Sequence, residues 1–156
     1  MTIKNICKTD IVTIERTALL KKVSGLMQSQ HVGCVVVVDA LDGKKLPVGI
    51  ITDRDIALVL GSSSKPQDLL VEHIMQSAPI TVNKTDGIFE TILKMRVNGV
   101  KRVPVIDDSG ALYGIICADD ILELMAEEVS NLSKINDVQV KKERGVRMPT
   151  ERSLQI

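Results

Sequence analysis

The 156-residue chain sets 20 Lys or Arg against 20 Asp or Glu, which removes any bulk electrostatic reason to expect a nucleic-acid partner. Hydrophobic residues make up 44% of it, yet its aromatics are one Phe and one Tyr, so base-stacking platforms are excluded and the core must be aliphatic. The longest apolar run, Cys34–Val38, is too short for a bilayer, and the opening MTIKNICKTD lacks the apolar centre of a signal peptide, so a cytoplasmic protein is expected, with no membrane partner.

In chain order, the first extended stretch is Val12-Thr13-Ile14. The following segment places Leu19, Leu20, Val23, Leu26 and Met27 on one stripe at helical spacing, with Thr17 as a candidate N-cap. The β-branched run Cys34–Val38 reads as a strand, ALDGKK as a turn and Val48–Thr52 as a second strand, with a helix starting at Asp53. GSSSKPQD, residues 61–68, punctuates the chain and opens a linker over 61–73, with His73 in the short helix of VEHIM.

The same order then returns. A shift of 68 residues lays Val12-Thr13-Ile14 on Ile80-Thr81-Val82, Met27 on Met95 and Val37-Val38-Asp39 on Val105-Ile106-Asp107. Thr85 takes the place of the first N-cap, Arg102–Ile106 and Leu112–Cys117 read as strands, DDSG as their turn, and a helix starts at Ala118. Because the turn after Asp39 is three residues longer than that after Asp107, VGIITDRDI (48–56) meets YGIICADDI (113–121) at a shift of 65. The expectation is an α/β (α+β) protein of two β-α-β-β-α repeats, 1–60 and 74–130, packed about a pseudo-twofold axis. Residues 131–156 read as a charged, flexible tail, or alternatively as an arm that packs on a neighbouring subunit or partner.

The repeated phrase carries the candidate chemistry. Gly49 lets a ligand base approach the strand, Ile50 offers an apolar wall, and Ile11 and Val12 supply its other face. The Thr52 hydroxyl and the helix N-terminus would hold phosphate, Arg54 would neutralise it, and Asp55 lies one turn on. The competing reading makes Thr52 and Asp55 a helix cap only. In the second copy Cys117 replaces the hydroxyl and Asp119 stands where Arg54 does, so phosphate binding should weaken, while Pro79, Ile80, Ile115 and Asp120 keep the base and ribose contacts, and Lys101 and Arg102 restore some positive charge. Cys7, Cys34 and Cys117 are odd in number and widely spaced, which points to reduced, mostly buried thiols rather than a disulfide framework or zinc site. With His31 and His73 as the only histidines, no catalytic arrangement is evident.

Two full copies in register, with VKRVPVIDDSGALYGII (100–116) the clearest stretch, resemble a tandem pair of cystathionine-β-synthase (CBS) domains over residues 3–128. The resemblance implies a non-catalytic regulatory module whose clefts bind adenosine-containing ligands (AMP, ADP, ATP, NAD or S-adenosylmethionine), with no required cofactor. It assigns the ribose hydroxyls to Asp55 and places His31 near the phosphates. It further implies a homodimer acting on an unidentified protein target in trans. The alternative is a dimeric scaffold whose clefts stay empty, motivated by Cys117 and Asp119.

Overall fold

The computed structural model describes residues 1–146 and divides the chain into two units, Met1–Ala118 and the segment from Asp119 onward. In the first unit the chain runs β1 (Thr13–Glu15), α1 (Leu20–Gln30), β2 (Cys34–Leu41), β3 (Lys44–Thr52), α2 (Asp53–Leu60), β4 (Gln76–Ser77), β5 (Val82–Asn83), α3 (Ile88–Asn98), β6 (Arg102–Ile106) and β7 (Leu112–Cys117). Short 3-10 turns occupy Ile3–Asn5, Pro66–Asp68 and Val71–His73. The sheets have orders β1-β2-β3-β4 and β5-β6-β7. β1 pairs parallel with β2 and β5 with β6, while the β2-β3 and β6-β7 hairpins are antiparallel. The repeat extends to irregularities: both hairpins shift register at equivalent places, Val37/Val38 and Val105/Ile106.

Local chemistry accounts for the elements. Val35–Val38 are all buried, both faces of central β2 being covered, which explains an unbroken valine run where a half-exposed strand would alternate. The β2-β3 hairpin closes through Asp42 and Gly43, both at positive φ (50° and 76°), the backbone that a tight two-residue hairpin requires. The shorter β6-β7 turn is held by Asp107, whose Oδ1 accepts hydrogen bonds from the Ser109 N–H (2.8 Å) and hydroxyl (2.7 Å) and the Ala111 N–H (3.1 Å). These bonds hold the Asp107 carboxyl below its usual range.

Two helix starts differ from expectation. α1 begins at Leu20 with no side-chain cap, and α3 is preceded by Gly87, whose N–H donates to Glu90 Oε2, rather than capped by Thr85. The Thr85 hydroxyl instead donates to Asn83 Oδ1 at 2.7 Å. Leu19, placed on the buried stripe by spacing, is exposed because it precedes the helix and its angular phase does not apply; Leu20, Val23 and Met27 form the buried face.

The segment ahead of each repeat packs on the other repeat. The Ile3 N–H donates to the Asp86 carbonyl and that of Lys4 to the Lys84 carbonyl, both at 2.9 Å, and Lys8 bridges Ile115 on β7. Reciprocally, the Leu20 N–H donates to the Leu69 carbonyl (2.8 Å), the Val71 N–H to that of Ala18 (2.9 Å), and β4 pairs with β3. Val71 is fully buried in one cluster with Ile14, Val23, Val35, Val37 and Ile51, so this residue of the expected linker joins the core of the first repeat. Ile3 is equally buried.

This exchange corrects the role given to glycine. A Cβ on Gly114 would meet Cys7 Sγ and the Lys8 carbonyl oxygen at 2.9 Å, and one on Gly49 would run into the Met75 side chain. Both glycines admit the exchanged segment, not a ligand.

The second unit is described by helix α4 (Ala118–Val146), of 29 residues. Helix thus replaces the tail expected from residue 131. The charge excess had masked apolar residues at helical intervals, which good helix formers such as Leu, Lys and Glu support. Residues 147–156 of that expected tail lie outside the described residues. No described helix is long and apolar enough to cross a membrane.

Gly114→Ala is expected to lower unfolding stability by about 1–3 kcal/mol, because the obstacle includes a backbone carbonyl that cannot swing aside. Denaturant unfolding measures this; an unchanged midpoint would show that residues 7 and 8 are free to yield.

Candidate functional site

The corner between β3 and α2 is a reciprocal cap. The Thr52 N–H (2.8 Å) and hydroxyl (2.7 Å) both donate to Asp55 Oδ2, and the Asp55 N–H returns a bond to Thr52 Oγ1 at 3.3 Å. Around it, the Asp53 N–H donates to the Gly33 carbonyl (3.2 Å) and the Arg54 N–H to Asp53 Oδ1 (2.8 Å). Every N–H from 52 to 55 therefore has an internal acceptor. The phosphate-holding helix N-terminus expected here is already satisfied by its own chain, and phosphate recognition would fall to side-chain cations. Asp55 Oδ1 remains, approached by Gln76 Nε2 of β4 at 3.5 Å.

Two clefts flank β3 and β7, and each mixes the repeats. The first, about 320 Å³, is lined by Ile50, Thr52, Asp53, Arg54 and Gln76 together with Pro79, Ile80, Val100, Lys101 and Arg102. The second, about 240 Å³, joins Lys8, Asp10, Ile11, Val12, His31 and Cys34 to Arg102, Ile115 and Cys117. The sequence-based grouping is thereby corrected. Ile50, Thr52 and Arg54 share a cleft with Pro79, Ile80 and Lys101, not with Ile11, Val12 and His31, which face Ile115. Each repeat contributes its β-α corner to one cleft and its opening strand to the other, because the two copies are related by a pseudo-twofold operation. Asp55 does not line the first cleft, and Asp120 lies in the first turn of α4 in the second unit.

Charge follows the same crossing. The first cleft gathers Arg54, Lys101 and Arg102 against Asp53, and these three cations form no salt bridge among the described residues. Arg102 lines both clefts. It occupies the position in β6 that Cys34 holds in β2, a correspondence available from the 68-residue shift. Gln76, Asp10 and Gly33 carried no sequence signal, since they reach the clefts through the exchanged segments and through the turns that precede β1 and β2.

His31 ends α1 in the left-handed region (φ 53°), its N–H bonding the Met27 carbonyl; the equivalent residue of α3 is Gly99, at φ 64°. A side chain is thus retained at the second cleft where the other copy uses the residue that adopts this backbone without steric cost.

None of the three cysteines is in a disulfide among the described residues, and each is partly buried. Burial pushes the Cys34 thiol up to about 11, with Arg102 opposing the shift. The folded state therefore holds this proton more tightly than the unfolded chain. Its stabilising contribution is complete below the unfolded thiol value, near ~8.5, and is lost as pH rises through about 11. No group of His, Cys, Asp and Glu among the described residues could hold a metal ion.

Comparison with known proteins recognises the two repeats and their fold. The sequence model of the CBS domain fits residues 3–62 and again 71–127. The uncharacterized protein MK0525 of Methanopyrus kandleri is 30% identical over 125 residues, which are 80% of this chain and 62% of that protein; the chain spans less than two thirds of that relative's length. The CBS domain pair of protein MJ0100, solved with 5′-methylthioadenosine and S-adenosyl-L-methionine, superposes with a TM-score of 0.70 at 25% identity, covering 80% of this chain and 99% of that one. An uncharacterized conserved protein from Pyrococcus horikoshii gives 0.69 at 28%, covering 80% and 91%.

Two outcomes follow from the geometry. His31→Gly should raise stability by about 1 kcal/mol in thermal or denaturant unfolding, by relieving a left-handed non-glycine residue; a loss of stability would show that the imidazole contributes more than its backbone costs. At pH 8 Cys34 should alkylate roughly a hundredfold more slowly than an unstructured thiol, as followed by peptide mass spectrometry. Labelling at the unstructured rate would contradict the burial argument.

Proposed function

The chain belongs to the CBS domain family, with two repeats in tandem, and on that footing we propose that it is a regulatory module which binds an adenosine-containing ligand and modulates a protein partner in trans. The observation that carries this reading is the first cleft, where an apolar wall of Ile50, Pro79, Ile80 and Val100 stands beside Arg54, Lys101 and Arg102. An adenine base is flat and apolar on its faces, and a phosphate tail needs convergent cations; this cleft offers both within about 320 Å³. Asp55 stands behind the lining residue Gln76, whose Nε2 approaches its Oδ1 at 3.5 Å, and a shift of the Gln76 side chain would let this carboxylate accept from the ribose hydroxyls. The ligands in the MJ0100 domain pair support the adenosine class.

Asymmetry between the clefts favours phosphate-bearing ligands in the first and a less charged adenosine derivative in the second. Cys117 replaces the hydroxyl there, and Lys8 and Arg102 stand against Asp10. Charge-assisted hydrogen bonds of about 1.5–3 kcal/mol each set the expected scale.

Calorimetric titration with AMP, ADP, ATP, NADH, 5′-methylthioadenosine and S-adenosylmethionine tests the proposal. Lys101→Ala with Arg102→Ala should weaken AMP or ATP binding by roughly 10–100-fold and flatten its salt dependence, while affecting 5′-methylthioadenosine less. Asp55→Asn keeps a carbonyl acceptor for the Thr52 cap but removes the carboxylate, so it should cost affinity without the loss of stability expected of Asp55→Ala. Absence of heat and of any thermal shift with all six ligands would leave the scaffold reading in its place.

A further inference from the structure

Arg102 occupies one of two equivalent positions of which only one carries a charge. It opens β6 and pairs in register with Cys117 at the end of β7, as Cys34 opens β2 and pairs with Thr52 at the end of β3. The pseudo-twofold relation therefore exchanges Arg102 with Cys34. Of the two clefts, Cys34 lines only the second, whereas Arg102 lines both. A module with matching repeats would hold one such cation for each cleft. This chain holds a single one for two.

Two further observations make that side chain available to either cleft. Its charge is felt inside the second, where it opposes the upward push of burial on the Cys34 thiol. No salt bridge among the described residues fixes it in the first. What each cleft keeps without it differs. The first still sets Arg54 and Lys101 against Asp53, but the second sets Lys8 against Asp10, beside the imidazole of His31. Arg102 thus decides whether the second cleft has an excess of cations to offer an anion, while the first keeps its excess regardless. A guanidinium carries one charge, and two phosphates drawn to it from opposite sides repel each other at short range. We propose that the two clefts compete for Arg102: a phosphate-bearing ligand in the first takes this cation from the second, which is then left selective for adenosine derivatives without phosphate. The inference rests on the adenosine reading of the clefts and adds a coupling between them, which linkage makes reciprocal.

The test titrates the full-length protein calorimetrically with AMP and with 5′-methylthioadenosine, which shares its base and ribose but lacks the phosphate. AMP should bind the unmodified chain in two steps, and alkylation of Cys34 and Cys117, followed by peptide mass spectrometry, should be blocked only at the second. Disabling the first cleft with Arg54→Ala and Lys101→Ala should let AMP block both thiols at least about tenfold more tightly than in that second step, the scale of one charge-assisted hydrogen bond. Adding Arg102→Ala should abolish the gain. 5′-Methylthioadenosine should bind the second cleft within about twofold equally whether AMP fills the first or the first is disabled, having no phosphate to place. All three substituted side chains are exposed or partly exposed, so the variants keep the fold, which circular dichroism verifies. An unchanged second-cleft affinity for AMP in the disabled chain overturns the proposal. So does a gain that survives Arg102→Ala, which assigns the coupling to repulsion between the ligands, and so does weaker binding in the disabled chain, which makes Arg102 a bridge between the phosphates. Failure of the unmodified chain to bind either ligand removes the adenosine reading itself, and it is distinguishable because each of the other outcomes leaves binding intact.

Discussion

The constraint on which the first unit depends is the exchange of opening segments between its repeats. Ile3 and Val71 are both completely buried, each by the repeat it does not precede in sequence. A repeat of about sixty residues buries too little apolar surface to be secure alone, and the reciprocal loan of an isoleucine and a valine makes the core of each copy conditional on the other. Gly49 and Gly114 are what permit it. At these two points the incoming backbone and side chain occupy the volume that any Cβ would claim.

The same exchange builds the clefts. Because the segment carrying Gln76, Pro79 and Ile80 runs beside β3, the corner Thr52–Asp55 looks onto the opening of the second repeat, and by the pseudo-twofold relation Cys117 looks onto Ile11 and Val12. Fold and site are thus one arrangement. The differences between the copies become chemical differences between clefts: three cations converge on one, while two thiols, an imidazole, Lys8 and the shared Arg102 border the other. The capping box refines the electrostatics further. Since Asp55, Thr52 and Asp53 already satisfy the first N–H groups of α2, the helix end offers an anion little, and the guanidinium and ammonium groups carry that task.

Much was legible beforehand. The 68- and 65-residue correspondences located β6 and β7, with their shared turn, and the starts of α2 and α4, because a repeat doubles the evidence for every element. Short-range signals misled in identifiable ways. Thr17 and Thr85 have the chemistry of caps, yet α1 and α3 start later, at Leu20 and Ile88, and the Thr85 hydroxyl bonds Asn83 instead. Residues 131–146 read as a charged, flexible tail, yet they continue α4, since lysine and glutamate are good helix formers and propensity does not depend on net charge.

The sequence by itself determined the repeat, the aliphatic core, the hairpin turns and the chemical identity of the two corners, since all of these follow from residue type and spacing along one strand or helix. Only the tertiary structure decided which corner faces which opening strand, that Gly49 and Gly114 serve the exchange rather than a ligand, and that Lys101 and Arg102 join Arg54 in one cleft. The physical reason is that these are pairings between segments distant in sequence. Periodicity records which face of an element is buried, but it carries no record of the partner that buries it.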